Sequence, residues 1–225
     1  MYEFDWSSIP GALPFLWQGM QITLSITLVA TLGALSWGSW LAPLRMSPLR
    51  PLSWFAVAYI SLFRSIPLVM VLLWFFLIVP QLLRGLFAPG ADSDLRVISA
   101  MVGFTLFEAA FYAEIIRAGI HGIPRGQGAA ARALGMNEVQ VMRWVILPQA
   151  LRNMLPPLLT QSIVLFQDTS LVYVSSLADF FGVAYRVGDR DGRIVELLLF
   201  AGAGYFILCY AASRLVKTLQ NRKTA

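Results

Sequence analysis

Residues 19–42 read GMQITLSITLVATLGALSWGSWLA, twenty-four positions without an Asp, Glu, Lys or Arg. A helix needs about 20 mostly apolar residues to cross a bilayer, because hydrocarbon leaves every backbone polar group to be satisfied internally. This run qualifies, and four more do: about 52–80, 97–116, 155–174 and 194–216. An all-α transmembrane fold with five spans is expected. Composition agrees, since 58% of the 225 residues are hydrophobic and 13% are charged, with a mean hydropathy of +0.69. A soluble domain is about 45–50% apolar and roughly 25% charged, and one compact core cannot absorb that excess.

Charge placement sets the orientation. Arg45 and Arg50 follow the first run, Arg117, Arg125, Arg132, Arg143 and Arg152 lie between the third and fourth, and Arg214, Lys217, Arg222 and Lys223 close the chain. The alternate connections hold Arg84, Arg96, Arg186, Arg190 and Arg193 among seven acids. Eleven bases against five place the first set in the cytoplasm by the positive-inside rule. The N-terminus is then outside and the C-terminus inside, which requires an odd number of spans. The expected organisation is an external segment 1–18, a membrane domain 19–216 with a cytoplasmic loop 117–152, and a cytoplasmic tail 217–225. Pro67 removes a helical N–H inside the second run, so a kink or break is expected there. Treating that run as two re-entrant pieces would restore an even count but fits the charges less well. Ala30, Ala34 and Gly38 form a small-residue row for close helix contact, expected within the chain.

Several functions are excluded on composition. The net charge of +5 comes from bases at the ends of apolar runs, so it speaks for topology and against nucleic acid. Cys209 is the sole cysteine and His121 the sole histidine, too few for a disulfide framework or a Cys/His metal site. A phosphate-binding Walker loop needs Lys after Gly, but Lys217 and Lys223 follow Val216 and Arg222. No nucleotide site, cofactor or catalytic residue is expected in the chain. The acidic start lacks the basic region of a signal peptide.

The loop between the third and fourth runs is unusually patterned. Ala129 to Leu134 favours helix, and Gly135 is placed to end it. Asn137, with Gln140 three residues on, can cap a second helix. Val139, Met142, Val145 and Ile146 would form its apolar stripe, and Pro148 would stop it. Two short amphipathic helices outside the bilayer need a protein surface to cover them.

These residues carry a resemblance. Permease subunits of ABC importers have a cytoplasmic motif of E-A-A, three residues, G, nine residues and I-x-L-P. Ala129-Ala130-Ala131, Gly135 and Val145-Ile146-Leu147-Pro148 stand at that spacing, with Ala129 replacing the acid and Val145 the isoleucine. Phe63-Arg64-Ser65-Ile66-Pro67-Leu68, the segment Ala113-Glu114-Ile115-Ile116-Arg117-Ala118-Gly119-Ile120 and the run Leu165 to Leu171 resemble further elements of the polar amino-acid permease family. Within it, the pattern most resembles the permease of a bacterial glutamate/aspartate importer. The resemblance implies a five-span type I importer permease in the inner membrane. It also implies ATPase coupling through Ala129, Ala130, Ala131, Gly135, Val145, Leu147 and Pro148. The implied partners are two ATPase subunits that hold ATP and Mg, a second and homologous permease, and a periplasmic solute-binding protein. A stand-alone secondary transporter or channel is the main rival, but it gives no reason for this loop.

A charge at mid-bilayer costs about 2.5–3.5 kcal/mol on insertion scales, so each one needs a partner or water. Arg64 precedes Pro67, and Glu108 falls inside the third run. Gln161 and Asp168 share one helical face, beside Thr160 and Gln167. Arg64, Gln161, Gln167 and Asp168 are the candidates for lining a substrate path, with pairing of Arg64 to Glu108 or Asp168 as the structural alternative. Relatives often carry Lys at the position of Gln167. Glu114 and Arg117 are spaced for a helix-end ion pair.

Overall fold

A computed structural model of the chain describes residues 3–86 and 95–221. Asp92, Asp94, Arg222 and Lys223 of the charge count lie outside them. The described residues are almost wholly helical.

Helix α1 (Ser8–Arg45) runs for 38 residues, about 57 Å at 1.5 Å per residue. It therefore begins inside the segment expected to precede the first span. α1 contributes to all three apolar clusters of the molecule, through Leu16 and Met20, Ile26 and Ala30, and Ala34 and Leu41. Its small-residue row faces α4 (Leu95–His121). Ala30 and Ala34 have no exposed surface, and a Cβ on Gly38 would lie 2.9 Å from Tyr112 Cβ and 3.0 Å from the Ala109 carbonyl oxygen. The row is an intrachain seam, as expected.

The second run divides into α2 (Arg50–Ser65) and α3 (Leu68–Leu86), whose axes differ by 104°. Ile66, ahead of Pro67, is extended at φ −109° and ψ 137°, the conformation that the following proline ring favours. The break expected at Pro67 is present, and it turns the chain through more than a right angle. By length and composition α1, α4 and α9 (Ile194–Asn221) can each cross a membrane, and the bent pair counts together as a fourth.

The fourth run differs from expectation. Its helix, α7 (Leu147–Asp168), starts earlier and stops sooner than 155–174. Gln149, Arg152, Asn153, Gln161, Gln167 and Asp168 dilute its apolarity. A 3-10 segment, Thr169–Ser175, takes over beyond Asp168. There Thr169, Ser170 and Ser175 donate their hydroxyls to the carbonyls three residues back, local bonds that compete with a regular helix.

Helix α8 (Phe180–Asp191) begins at Asp179, whose carboxylate accepts from the Phe181 and Gly182 amides at 3.1 and 3.0 Å. Burial pushes that carboxyl up to about 6, against the opposing pull of those amides. Thr23 of α1 accepts from the Phe180 amide at 3.0 Å, and Gly19 lets α1 lie directly on this turn. At the far end of α8, Arg193 donates to the Glu3 carbonyl and to Asp5 at 3.0 and 3.2 Å. The start of the chain is thereby tied to the α8–α9 turn.

Candidate functional site

Two sets of residues stand out, a folded loop and a group of polar side chains among the long helices. In the loop, α5 (Arg125–Ala133) ends at Gly135, whose φ of +85° is the left-handed region that glycine tolerates. The Met136 amide donates back to Ala131 and the Gly135 amide to Arg132. This pair of bonds satisfies the last carbonyls of the helix. Asn137 then caps α6 (Glu138–Gln140), its side chain accepting from the Gln140 amide while Gln140 accepts from the Asn137 amide. Both termini are as the sequence predicts.

The continuation is not. Val141–Ile146 is a π-helical segment leading straight into α7, so Pro148 does not stop a helix. It lies within the continuous helix, where the π-helical segment passes into α7. The stripe is corrected as well. Val139 and Met142 are exposed, and it is Val141 that is buried, against Gly128 of α5. Ala131 is buried too, whereas Ala129, Ala130, Gly135 and Pro148 are exposed; Val145 is half-buried and Leu147 exposed. Gln149 reaches Gln127 at 3.4 Å, joining α7 to α5. The result is one folded unit that exposes Leu134 (81%), Val139 (73%) and Trp144 (64%) along with Arg125, Arg132 and Arg143, the Arg143 guanidinium lying 5.2 Å from the centre of the Trp144 ring.

Among the long helices, Gln161 of α7 donates to Glu108 of α4 at 2.9 Å. One helical turn further along α4, Tyr112 and Ser162 share a 2.7 Å hydrogen bond. Glu108 is almost fully buried, and Asp168 of α7 is half-buried. Among the described residues no ion pair brings a cation to either carboxylate. Arg64 is not their partner: it lies 3.8 Å from Glu114 and 5.6 Å from the centre of the Phe111 ring. Glu114 also accepts from Arg45 and, at 3.0 Å, from Arg117, so the expected Glu114–Arg117 pair is part of a larger cluster. Three guanidinium groups from α1, α2 and α4 converge on this carboxylate. Gln167 is exposed and Thr160 bonds to its own helix at Pro156. Of the four path candidates, the structure pairs Gln161 with Glu108 and holds Arg64 in the Glu114 cluster.

The arrangement is that of a helical membrane protein with several helices long and apolar enough to span a bilayer. The chain belongs to the family of binding-protein-dependent transport system inner membrane components, which it matches over residues 34–225. It is a transport subunit and not an enzyme, and in this family ATP hydrolysis resides on a separate subunit. The chain is 59% identical to the glutamate/aspartate import permease protein GltK of Escherichia coli, over 99% of each chain. It is 34% identical to the arginine transport system permease protein ArtQ of Bacillus subtilis over 98% of this chain and 97% of that one. A solved amino acid ABC transporter with histidines superposes at a TM-score of 0.87, with 31% identity over 98% of this chain and all of the other. A methionine ABC transporter shares the fold at a TM-score of 0.68 and 22% identity, covering 92% and 97% of the two chains.

Proposed function

We propose that the chain is the permease of an ATP-driven importer of acidic amino acids, carrying glutamate and aspartate into the cytoplasm across the bacterial inner membrane. The observation that carries the coupling half is the uncovered apolar face of the 125–148 unit, which fits a groove on an ATPase. Ala129, Ala130, Ala131, Gly135, Val145, Leu147 and Pro148 build that unit. Nucleotide-driven closure of two ATPase subunits, which hold ATP and Mg, moves the unit as a lever. Because α7 continues from it without a break, the movement reaches Gln161 and Asp168 directly.

The substrate half follows from the full-length likeness to GltK. The glutamate/aspartate import permease protein GltJ of Escherichia coli is 32% identical over 94% of this chain and 87% of its own. A permease of that second kind is the expected partner, so the pair is a heterodimer, fed by a periplasmic solute-binding protein. Five crossings, with the N-terminus outside and the 117–152 loop in the cytoplasm, agree with the positive-inside count. Gln161 and Asp168 border the path, with Glu108 buried behind Gln161; the Asp168 carboxylate suits a substrate ammonium, and Arg64, half-exposed beside Glu114, suits a substrate carboxylate. Gln167, being exposed, contributes at the rim of the path.

The reading is tested by uptake of labelled glutamate, aspartate, glutamine and arginine in cells that lack and then regain this chain. Recovery of glutamate and aspartate uptake alone is expected. Recovery of arginine or glutamine uptake instead would reassign the substrate.

A further inference from the structure

An apolar groove of about 490 Å³ runs between α1, α7 and α9, walled by Leu24, Leu159, Ile163, Leu208, Val216 and Leu219. Its two hydroxyl groups are already engaged. Thr27 donates to the Thr23 carbonyl, and Ser162 bonds to Leu158 and Tyr112. The walls therefore ask for no polar occupant.

The length of the groove is informative. On α9 it extends from Leu208 to Leu219, about 16 Å at 1.5 Å per residue. That is roughly one leaflet of a hydrocarbon core about 30 Å thick. One end has a charge. Phe166 of α7 packs on Tyr205 of α9 with ring centres 5.2 Å apart. From that contact the two helices run antiparallel, so Arg152, fourteen residues back along α7, comes level with Leu219, fourteen residues on along α9. Arg152 stands seven residues before Leu159, on the face of α7 that lines the groove. It is exposed, and no ion pair holds it among the described residues. Basic residues between helices at the cytoplasmic surface select anionic headgroups.

We infer that this groove is a binding site for one acyl chain of an inner-leaflet anionic phospholipid, with Arg152 holding the phosphate. The site rests on the proposed orientation but not on the identity of the transported solute. The test uses the intact transporter, with its partner permease and ATPases, purified in mild detergent and washed free of loose lipid. Native mass spectrometry should find one phospholipid retained per copy of this chain, enriched several-fold in phosphatidylglycerol over the membrane average. Arg152→Gln should abolish the enrichment while the complex stays assembled, and Ala212→Trp, which fills the groove, should remove the lipid itself. Cys209, the only cysteine of the chain, lines the groove. A bilayer-soluble thiol reagent should modify it faster once the lipid is stripped. A wild-type complex without retained lipid, or one whose headgroup preference survives Arg152→Gln, would overturn the assignment. So would efficient cross-linking of Ala212→Cys to the partner permease, which would make the groove a protein seam.

Discussion

Gly38 and Gly11 lie on the same helix, and their surroundings differ completely. A Cβ at Gly38 would meet Tyr112 Cβ at 2.9 Å and two backbone atoms of α4 at 3.0 Å, whereas nothing lies within 4 Å of one at Gly11. Backbone atoms of a packed helix cannot move aside singly, so Gly38→Val must push α1 and α4 apart. The expected cost is about 1–3 kcal/mol, the usual range for overpacking. It should appear as a lower apparent melting temperature of the solubilised complex. Gly11→Ala should leave stability within about 0.5 kcal/mol or raise it slightly, as exposed substitutions do. Equal stability of the two variants would contradict the described α1–α4 contact. The small-residue row was legible beforehand because spacing four apart is a one-dimensional property. The partner of Arg64 was not, because it depends on how α2 and α4 are rotated about their axes. Glu108 and Glu114 were both available acids, and Phe111 and Glu114 turn out to be the groups that face Arg64.

At the scale of elements, the 125–148 unit shows which signals local sequence carries. Gly135 and the Asn137–Gln140 pair were readable because caps are made by residues within a few positions of one another. Pro148 was misread because a proline after an apolar stripe reads as a helix stop, whereas the helix passes through it at the change from π to α geometry. The π-helical Val141–Ile146 segment has no comparable signature in the sequence. The continuity from α6 into α7 has a functional consequence. On the proposed coupling, force applied at α5 is transmitted only if the Gly135 turn keeps its shape. Gly135→Val places a β-branched residue at φ +85°, at a cost of about 1–2 kcal/mol. Leu134→Pro crowds the turn before it. In both variants the assembled complex should still hydrolyse ATP, while uptake falls by about tenfold, the ratio that corresponds to roughly 1.4 kcal/mol of misalignment. Normal uptake in both would remove the unit from the coupling path.

At the scale of the whole molecule, apolar bulk announces a membrane protein, but the number of crossings rests on two elements that composition describes poorly. One is the α2–α3 pair, bent by 104° at Pro67, which composition alone joins into one run. The other is α7, whose polar residues keep it below the apolarity of α1, α4 and α9. One of them, Gln161, has a partner inside the protein in Glu108, and a polar group so partnered can lie within a crossing helix. If α7 crosses, the 125–148 unit and the α8 helix lie on opposite sides. If it does not, they share a side, and the eleven-to-five distribution of bases loses its explanation. Cysteine labelling decides between these. In a Cys209→Ser background, single replacements at Ser7, Ala130, Asp191 and Thr218 all fall on exposed residues. An impermeant maleimide added to intact, right-side-out vesicles should modify the Ser7 and Asp191 positions. The Ala130 and Thr218 positions should react only after permeabilisation. Modification of the Ala130 and Asp191 positions from the same side would show that α7 stays on one face of the membrane. The lever from the ATPases to Gln161 and Asp168 would then have no crossing helix to act through.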